Sequence, residues 1–165
     1  MSRARELGTY AGKVLQVVSA TKTDTFSTST TNTFVDVSGL SVSITPSTTS
    51  SKILIKVDTQ MSGNELFFFR LMRDSTAICV GDDDSANRVE CSVGGDIQAA
   101  NNDKVAAMSM NFVDSPSTTS ATTYKLQARI YGSGRTATIN RTLNDSNASY
   151  TGRGASTITV MEIAG

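Results

Sequence analysis

The chain has 165 residues and is 38% apolar, which is enough for one domain with a substantial core. Fifteen basic and fifteen acidic residues give a formal net charge of zero, and this balance argues against nucleic acid or an acidic membrane surface as a partner. The absence of histidine excludes a Ser-His-Asp triad, a Cys-His pair and every histidine-ligated metal site, so we expect a protein that is not an enzyme.

Residues 1–12 are predicted to form an N-terminal arm or linker, and residues 13–165 are predicted to form the folded domain. Gly8 and Gly12 would end any helical turn that begins near Arg3 and Arg5. The arm lacks the apolar centre of a secretory signal, and no apolar stretch of the chain approaches the roughly 20 residues that cross a bilayer. We therefore expect a protein that is made in the cytoplasm and does not insert into a membrane.

After the arm, short alternating apolar runs give way to breaks rich in Ser, Thr, Gly and Asn about every eight to twelve residues. In the run 52–61, for example, Ile53, Ile55 and Val57 fall on one side of a pleat and Lys56 falls on the other. About ten antiparallel strands are predicted, which suits an all-β jelly-roll sandwich. The predicted strands are 13–20, 33–37, 42–45, 52–61, 66–73, 76–81, 105–113, 123–131, 136–141 and 156–164.

Two of these strands, 66–73 and 156–164, carry apolar residues on both sides of the pleat. A strand without a polar face has to be covered on both sides. We expect a second subunit to supply one of the covers, and the alternative is that the chain's own loops supply it. The candidate interface residues are Phe67, Phe68, Phe69, Ile158, Val160 and Met161.

The longest breaks, 81–103 and 142–154, are rich in Asp, Asn and Gly, and loops on a rigid sandwich are where contacts with partners usually lie. The run 82–84 could bind calcium through its oxygen atoms. It fits no defined calcium-loop pattern, so a solvated, charged loop tip is the preferred interpretation, and no metal or cofactor is expected. The candidate receptor-contact residues are Asp82, Asp83, Asp84, Asn144, Asp145 and Asn147.

The remaining reactive side chains give little support for catalysis. Paired carboxylates could hydrolyse a glycoside, but no spacing forces a pair, and acidic residues such as Glu65 and Glu162 are expected to be solvated on the surface. Cys79 and Cys91 lack a CxxC spacing, so we expect buried free thiols, with a single disulfide as the alternative.

Four segments resemble the C-terminal domain of marine bacteriophage tail fibres of the cyanophage type, and they occur in the same order. They are 12–18 (GKVLQVV), 34–46 (FVDVSGLSVSITP), 73–78 (RDSTAI) and 153–163 (RGASTITVMEI). More loosely, the strand pattern that ends in 156–163 is similar to the globular heads of complement and tumour-necrosis-factor-like proteins. Those heads are jelly rolls that trimerise through apolar strands.

The resemblance implies a homotrimeric virion protein, made in the host cytoplasm, that acts as a tail fibre or fibre tip. Such a protein would bind the host cell surface, with a surface glycan as the implied receptor. It would contact other virion proteins through the arm 1–12. The alternative is a capsid decoration or head-fibre protein that stabilises the particle and uses the same arm to reach a neighbouring subunit.

Overall fold

The computed structural model describes residues 12–82, 87–96 and 102–165, and in these ranges it contains eleven strands and no helix. Nothing in this part of the chain is a helix long and apolar enough to cross a membrane. The arm 1–11 lies outside the described residues, so the predicted boundary after residue 12 stays a prediction. The strands are β1 (Val14–Lys22), β2 (Phe26–Thr28), β3 (Val35–Ile44), β4 (Lys52–Gly63), β5 (Leu66–Arg73), β6 (Thr76–Ile78), β7 (Val93–Asp96), β8 (Ala106–Asp114), β9 (Thr122–Ile130), β10 (Ala137–Ile139) and β11 (Ser156–Ile163).

The strands form two antiparallel sheets. In the six-stranded sheet, β8 pairs with one edge of β4, while β11 and then β10 pair with the other edge, and β1 and β2 lie outside them. In the five-stranded sheet the order is β3-β9-β5, and β6 and β7 pair with successive parts of the free edge of β5. The order β1-β11-β4-β8 facing β3-β9-β5-β6/β7 is that of a jelly roll, which confirms the predicted fold class.

Strict alternation places one face of each long strand in the space between the sheets. In β9, Tyr124, Leu126 and Ile130 are fully buried, and the intervening residues reach the outer face. In β4, Ile53 and Ile55 do the same from the opposite sheet. The core is therefore the layer between the two sheets, and the hydrophobic effect favours the packing of the sheets against each other.

Most predicted strands lie within two residues of the observed ones, and 66–73 matches β5 at both ends. The predicted strands 33–37 and 42–45 prove to be one strand, β3, whose register shifts between Asp36 and Ser41. Two short strands were missed, β2 and β7, and β7 lies inside the predicted loop 81–103.

β7 pairs two glycines with two phenylalanines of β5, Gly95 with Phe67 and Gly94 with Phe68. A Cβ on Gly95 would lie 2.9 Å from the Phe67 ring, and one on Gly94 would lie 3.0 Å from the Phe68 ring. The rings thus occupy the space that side chains of β7 would need. Because glycine is normally depleted in strands, the sequence pattern gave no sign of this pairing.

The expected subunit interface needs correction. Phe67, Phe69, Ile158 and Val160 lie in the core between the sheets, so they are not available to another subunit. Of the six candidates, Phe68 and Met161 point to the outer faces, where both are half-buried. On the outer face of β5 the Phe68 ring lies against Gly94 of β7, the neighbouring strand of the same sheet, which accounts for part of its burial.

Glu162 and Asn140 are fully buried polar residues. Their side-chain hydrogen bonds join strands of the six-stranded sheet to other segments of the chain. Glu162 Oε1 accepts hydrogen bonds from the backbone N–H and the hydroxyl of Ser47 and, at 2.6 Å, from Ser51 Oγ. Its Oε2 accepts from Gln16 Nε2 at 2.6 Å. The expectation that Glu162 is a solvated surface carboxylate is therefore wrong, because the turn 46–51 folds over it.

Asn140 follows β10 in a left-handed backbone conformation, with φ of 63°. Its Nδ2 donates to the carbonyl oxygens of Lys22 at 2.8 Å and Asp24 at 3.0 Å, and its Oδ1 accepts from Ser156 Oγ at 2.6 Å. One side chain thus joins the break between β1 and β2 to the beginning of β11. It also fixes the point where the loop 142–154 leaves the sheet.

Candidate functional site

An open pocket of about 600 Å³ lies on the outer face of the five-stranded sheet. Arg70 of β5 and Arg129 of β9 form its floor, because each alternates with buried residues and so faces away from the core. Residues 32–34, before β3, and residues 87–90, before β7, form its walls. The lining residues are Asn32, Thr33, Phe34, Arg70, Asn87, Arg88, Val89, Glu90 and Arg129. We call this site the arginine pocket.

Aromatic rings hold the two floor arginines in place. The Arg70 Cζ lies 4.2 Å from the centroid of the Phe34 ring, which is close enough for a cation–π contact. The Arg129 Cζ lies 5.8 Å from the Phe34 centroid and 5.6 Å from that of Phe68. Both guanidinium groups are therefore partly covered by apolar surface while they remain at the pocket.

The hydrogen bonds within the floor do not use all of the N–H groups of Arg70 and Arg129. Arg70 donates from Nε at 3.3 Å and from Nη2 at 2.9 Å to the amide oxygen of Gln127. The Gln127 amide donates to Asp36 at 2.7 Å, and Asp36 also accepts from Lys125 at 2.7 Å. These hydrogen bonds from Lys125 and Gln127 lower the pKa of Asp36 below its ordinary value. The Nε of Arg129 is buried and has no hydrogen-bond partner among the residues that the structure describes.

The loop 142–154 forms a second, smaller pocket of about 350 Å³, and two of the predicted contact residues, Asp145 and Asn147, line it. Asp145 forms ion pairs with Arg153 at 2.6 Å and with Arg141 at 3.9 Å. Asn144 Nδ2 donates to Asp103 Oδ1 at 2.9 Å, which brings the loop 142–154 against the end of the other predicted contact loop. The charge of Asp145 is thus already balanced within the chain.

The acidic run of the first predicted contact loop is described in part. Asp82 is exposed, whereas Asp83 and Asp84 lie outside the described residues. Within the described ranges, no group of three or more His, Cys, Asp or Glu residues is placed so that it could hold a metal ion. Cys79 and Cys91 are free thiols, but they are half-buried rather than buried as expected, and burial raises the pKa of Cys91.

A row of apolar side chains crosses the outer face of the six-stranded sheet. The strand register places Val17 of β1 beside Met161 of β11, Met161 beside Leu54 of β4, and Leu54 beside Val113 of β8. Val17 and Val113 are each 55% exposed, and Leu54 and Met161 are half-buried. The neighbouring row along the same strands is polar, with Ser19, Thr159, Lys56 and Asn111 in register. We call Val17, Leu54, Val113 and Met161 the apolar row.

Sequence reasoning did not find the arginine pocket. Alternation in 66–73 and 123–131 places Arg70 and Arg129 on outer faces, but it does not say that these two strands are neighbours. Their pairing, with Arg70 opposite Gln127 and Phe68 opposite Arg129, is a long-range contact that the pattern of a single strand does not encode. Phe34 lay at the start of a predicted strand and gave no sign of its contact with Arg70.

Comparisons with known proteins give structural similarities but no match in sequence. No protein-family model matches the chain, and no curated protein sequence matches it. A chain in the structure of infectious bursal disease virus, Gx strain, is similar with a TM-score of 0.47 and 15% sequence identity. The similarity covers 93% of this chain and 38% of that chain. Function is therefore inferred from this chain's own residues.

Proposed function

We propose that this chain is a structural protein of a bacteriophage virion, a tail fibre or fibre tip that forms a homotrimer and binds the host cell surface. The four segments that resemble marine tail fibres support the phage assignment. The observation that carries the proposal is the contrast between the two outer faces of the jelly roll. One face bears the apolar row, which suits assembly, and the other bears the arginine pocket, which suits recognition.

The apolar row supports self-association. Four apolar side chains lie in register across β1, β11, β4 and β8, and the two outermost, Val17 and Val113, are each more than half exposed. A contiguous apolar patch with a polar rim is typical of a protein interface. Single exposed apolar residues are common, but a row that spans four strands is a surface that a second copy can cover. The trimer is the assembly that the resemblance to complement and tumour-necrosis-factor-like heads implies.

The positions of the loops support a role at a tip. The backbone of Gly12 donates to Ala164 at 3.2 Å, so the point where the arm joins the domain lies beside the end of β11. The loop 142–154 connects β10 to the start of β11, which is the end of β11 away from Ala164, and the Leu143 N–H donates to Ser62 Oγ at 3.2 Å near the end of β4. An arm that joins other virion proteins at one end of the sandwich would therefore leave this loop at the opposite end, directed toward the host.

Repetition would compensate for weak contacts. A trimer carries three copies of each pocket and loop, and a virion carries several fibres. Linked sites bind with an effective concentration that raises overall affinity by about 10²–10⁴ without new contacts. Each arginine pocket and each loop can therefore bind its ligand weakly and still hold a particle on a cell.

Location on the particle tests the proposal. Electron microscopy of intact virions labelled with an antibody against this chain should show the label at fibre tips, and purified protein should reduce adsorption of the same virions to host cells. An unrelated jelly-roll protein of equal size serves as the control for adsorption. Label on the head, with adsorption unchanged, would contradict the fibre assignment and favour the capsid decoration protein.

A further inference from the structure

We propose that the arginine pocket binds the acidic group, a carboxylate or a phosphate, of a saccharide. This inference deepens the proposed function by naming the chemistry of the receptor, and it rests on that function only for the biological source of the ligand. The binding chemistry itself follows from the pocket's charge, its incompletely hydrogen-bonded guanidinium and its rigidity.

The floor of the pocket carries two positive charges, those of Arg70 and Arg129. One carboxylate, Glu90, is among the residues that line the pocket. The guanidinium of Arg70 donates to the neutral amide of Gln127, and no described carboxylate forms an ion pair with Arg129.

Arginines elsewhere in the chain are paired differently. Arg73 meets Asp114 at 2.9 Å, Arg153 meets Asp145 at 2.6 Å, and Arg135 lies 3.8 Å from Glu65. Each of these three guanidinium groups thus has an acidic partner within the chain. The two on the pocket floor do not, although carboxylates are as frequent as cations in the sequence.

The Nε of Arg129 is buried and has no partner among the described residues, so the folded chain leaves this guanidinium incompletely hydrogen-bonded. More than about nine in ten buried polar groups in proteins have a hydrogen-bond partner. A buried donor without one loses its hydrogen bonds to water and forms none in their place, which destabilises the folded state. A guanidinium also presents its N–H groups as a planar fork that matches the two oxygens of a carboxylate or phosphate. An acidic group in the pocket would accept hydrogen bonds from the terminal N–H groups of this fork, because the buried Nε has no surface that a ligand can contact.

The floor is held in position before any ligand binds. Phe34 packs against Arg70 at 4.2 Å, and Phe34 and Phe68 both lie near Arg129, so neither guanidinium is a freely rotating surface group. Binding therefore costs less side-chain entropy than it would at a flexible arginine. The amide of Asn32 and the hydroxyl of Thr33 line the wall, where they can bond to sugar hydroxyls. A volume of about 600 Å³ is within the usual range for small-molecule sites.

Calorimetric titration of the full chain with three probes tests the inference. Trigalacturonate carries carboxylates, its methyl ester has the same rings without the charge, and glucose 6-phosphate carries a phosphate. We expect binding of trigalacturonate, of glucose 6-phosphate, or of both at millimolar concentration, and none of the ester. Binding of one acidic probe alone would identify the acidic group. No binding of either acidic probe, or equal binding of the ester, would overturn the inference.

Substitution of Arg129 locates the binding. Arg129→Gln should weaken the affinity for the acidic probe by about ten- to a hundredfold, because it removes a hydrogen bond to a charged group. Arg135→Gln is the matched control, since it removes the same charge from a turn outside the pocket. If Arg129→Gln fails to fold, as judged by its melting curve, Arg129→Lys keeps the charge and should still lose affinity because it lacks the fork.

Unchanged affinity in the folded Arg129 variant would show that the probe binds elsewhere and would overturn the assignment. Antibody labelling of virions does not depend on this pocket. A failure here is therefore distinguishable from a failure of the fibre proposal.

Discussion

The buried side chain of Glu162 joins β11 to the turn 46–51 through hydrogen bonds. Burial opposes ionisation of its carboxylate, but hydrogen bonds from Ser47, Ser51 and Gln16 outweigh that effect and lower the pKa from 4.5 to about 2. Because the folded-state pKa is below the unfolded one, the ionised carboxylate favours the folded state. This contribution is fully present above pH 4.5 and is lost as the pH falls from 4.5 toward 2.

Glu162→Gln should therefore reduce stability at neutral pH and change its pH dependence. We expect a loss of about 1–3 kcal/mol at pH 7, because a charged acceptor of four hydrogen bonds becomes a neutral amide. Melting temperatures measured from pH 7 to pH 2 should fall more steeply for the native chain than for the variant. Glu90→Gln, at an exposed site, is the matched control and should follow the native curve. Parallel curves for native chain and Glu162→Gln would refute this role.

A second residue of this kind is Tyr124, which is fully buried and donates to Asp114 at 2.7 Å. Burial, together with that hydrogen bond and the nearby charge of Asp114, raises the pKa of Tyr124 far above its ordinary value. In the predicted strand 123–131, Tyr124 falls on the same side of the pleat as Leu126 and Ile130, so alternation alone indicates that it is buried. The sequence could not identify the acidic partner, because Asp114 ends a strand in the opposite sheet.

At the scale of the elements, β1 with β2 and β11 with β10 each form one interrupted line of the six-stranded sheet. Asn140 sits where both lines break. Its left-handed φ is one that asparagine tolerates better than most residues, so the position needs both that conformation and an amide. The sequence predicted a strand over 136–141 but not the role of Asn140. A single polar residue gives no sign that two of its partners, Lys22 and Asp24, lie more than a hundred residues away.

Asn140→Gly tests the side-chain amide separately from the left-handed backbone conformation, because glycine adopts that conformation but lacks the amide. We expect a loss of about 2–4 kcal/mol, since three hydrogen bonds disappear and their buried partners are left unpaired. Hydrogen exchange should increase first at β2 and β10, which have the shortest ladders. Asn147→Gly, in an exposed part of the loop 142–154, is the control and should change stability by less than about 0.5 kcal/mol. If the two variants are equally stable, the hydrogen bonds of the Asn140 amide do not contribute to stability as proposed.

The alternation of apolar and polar residues in single strands was sufficient to predict the fold class. It was not sufficient to predict the pairing of the strands or the sites that depend on that pairing. Alternation fixes which face of a strand is buried, so the long strands were found from the sequence. It does not fix which strands are neighbours, and the arginine pocket and the apolar row both exist only through such pairings. Two of the three Phe residues assigned to an interface, Phe67 and Phe69, lie in the core, because a strand with apolar residues on both faces still turns one face to the core.

At the scale of the whole molecule, the two outer faces have different requirements. Burial of the apolar row against another copy favours association by about 25 cal/mol for each Å² of apolar surface that is covered. The arginine pocket has to stay open to solvent and ligand. An assembly that covers the first face and leaves the second free satisfies both, which is the arrangement expected for a displayed trimer.

Val113→Lys should dissociate that assembly. Val113 is an end of the apolar row, and a lysine there would place an unpaired charge against the apolar surface of the second copy. On the isolated subunit the same lysine is an ordinary residue of an edge strand. Sedimentation equilibrium at micromolar concentration should give a trimer for the native chain and a monomer for the variant, with similar melting temperatures in dilute solution. Ser133→Lys, at an exposed turn, should remain trimeric. A native chain that sediments as a monomer would disprove the interface.

The contact between Gly12 and Ala164 has a mechanical consequence. If the particle holds the chain through residues 1–11 and the cell holds it through the loop 142–154, tension runs along β1 and β11 rather than across them. These strands pair at eight residue positions, and antiparallel hydrogen bonds lie perpendicular to the strands. A pull along the strands therefore loads all of these bonds together in shear, whereas a pull across them would open them one after another. The sandwich would resist the drag on a tethered particle best in the direction in which it is pulled.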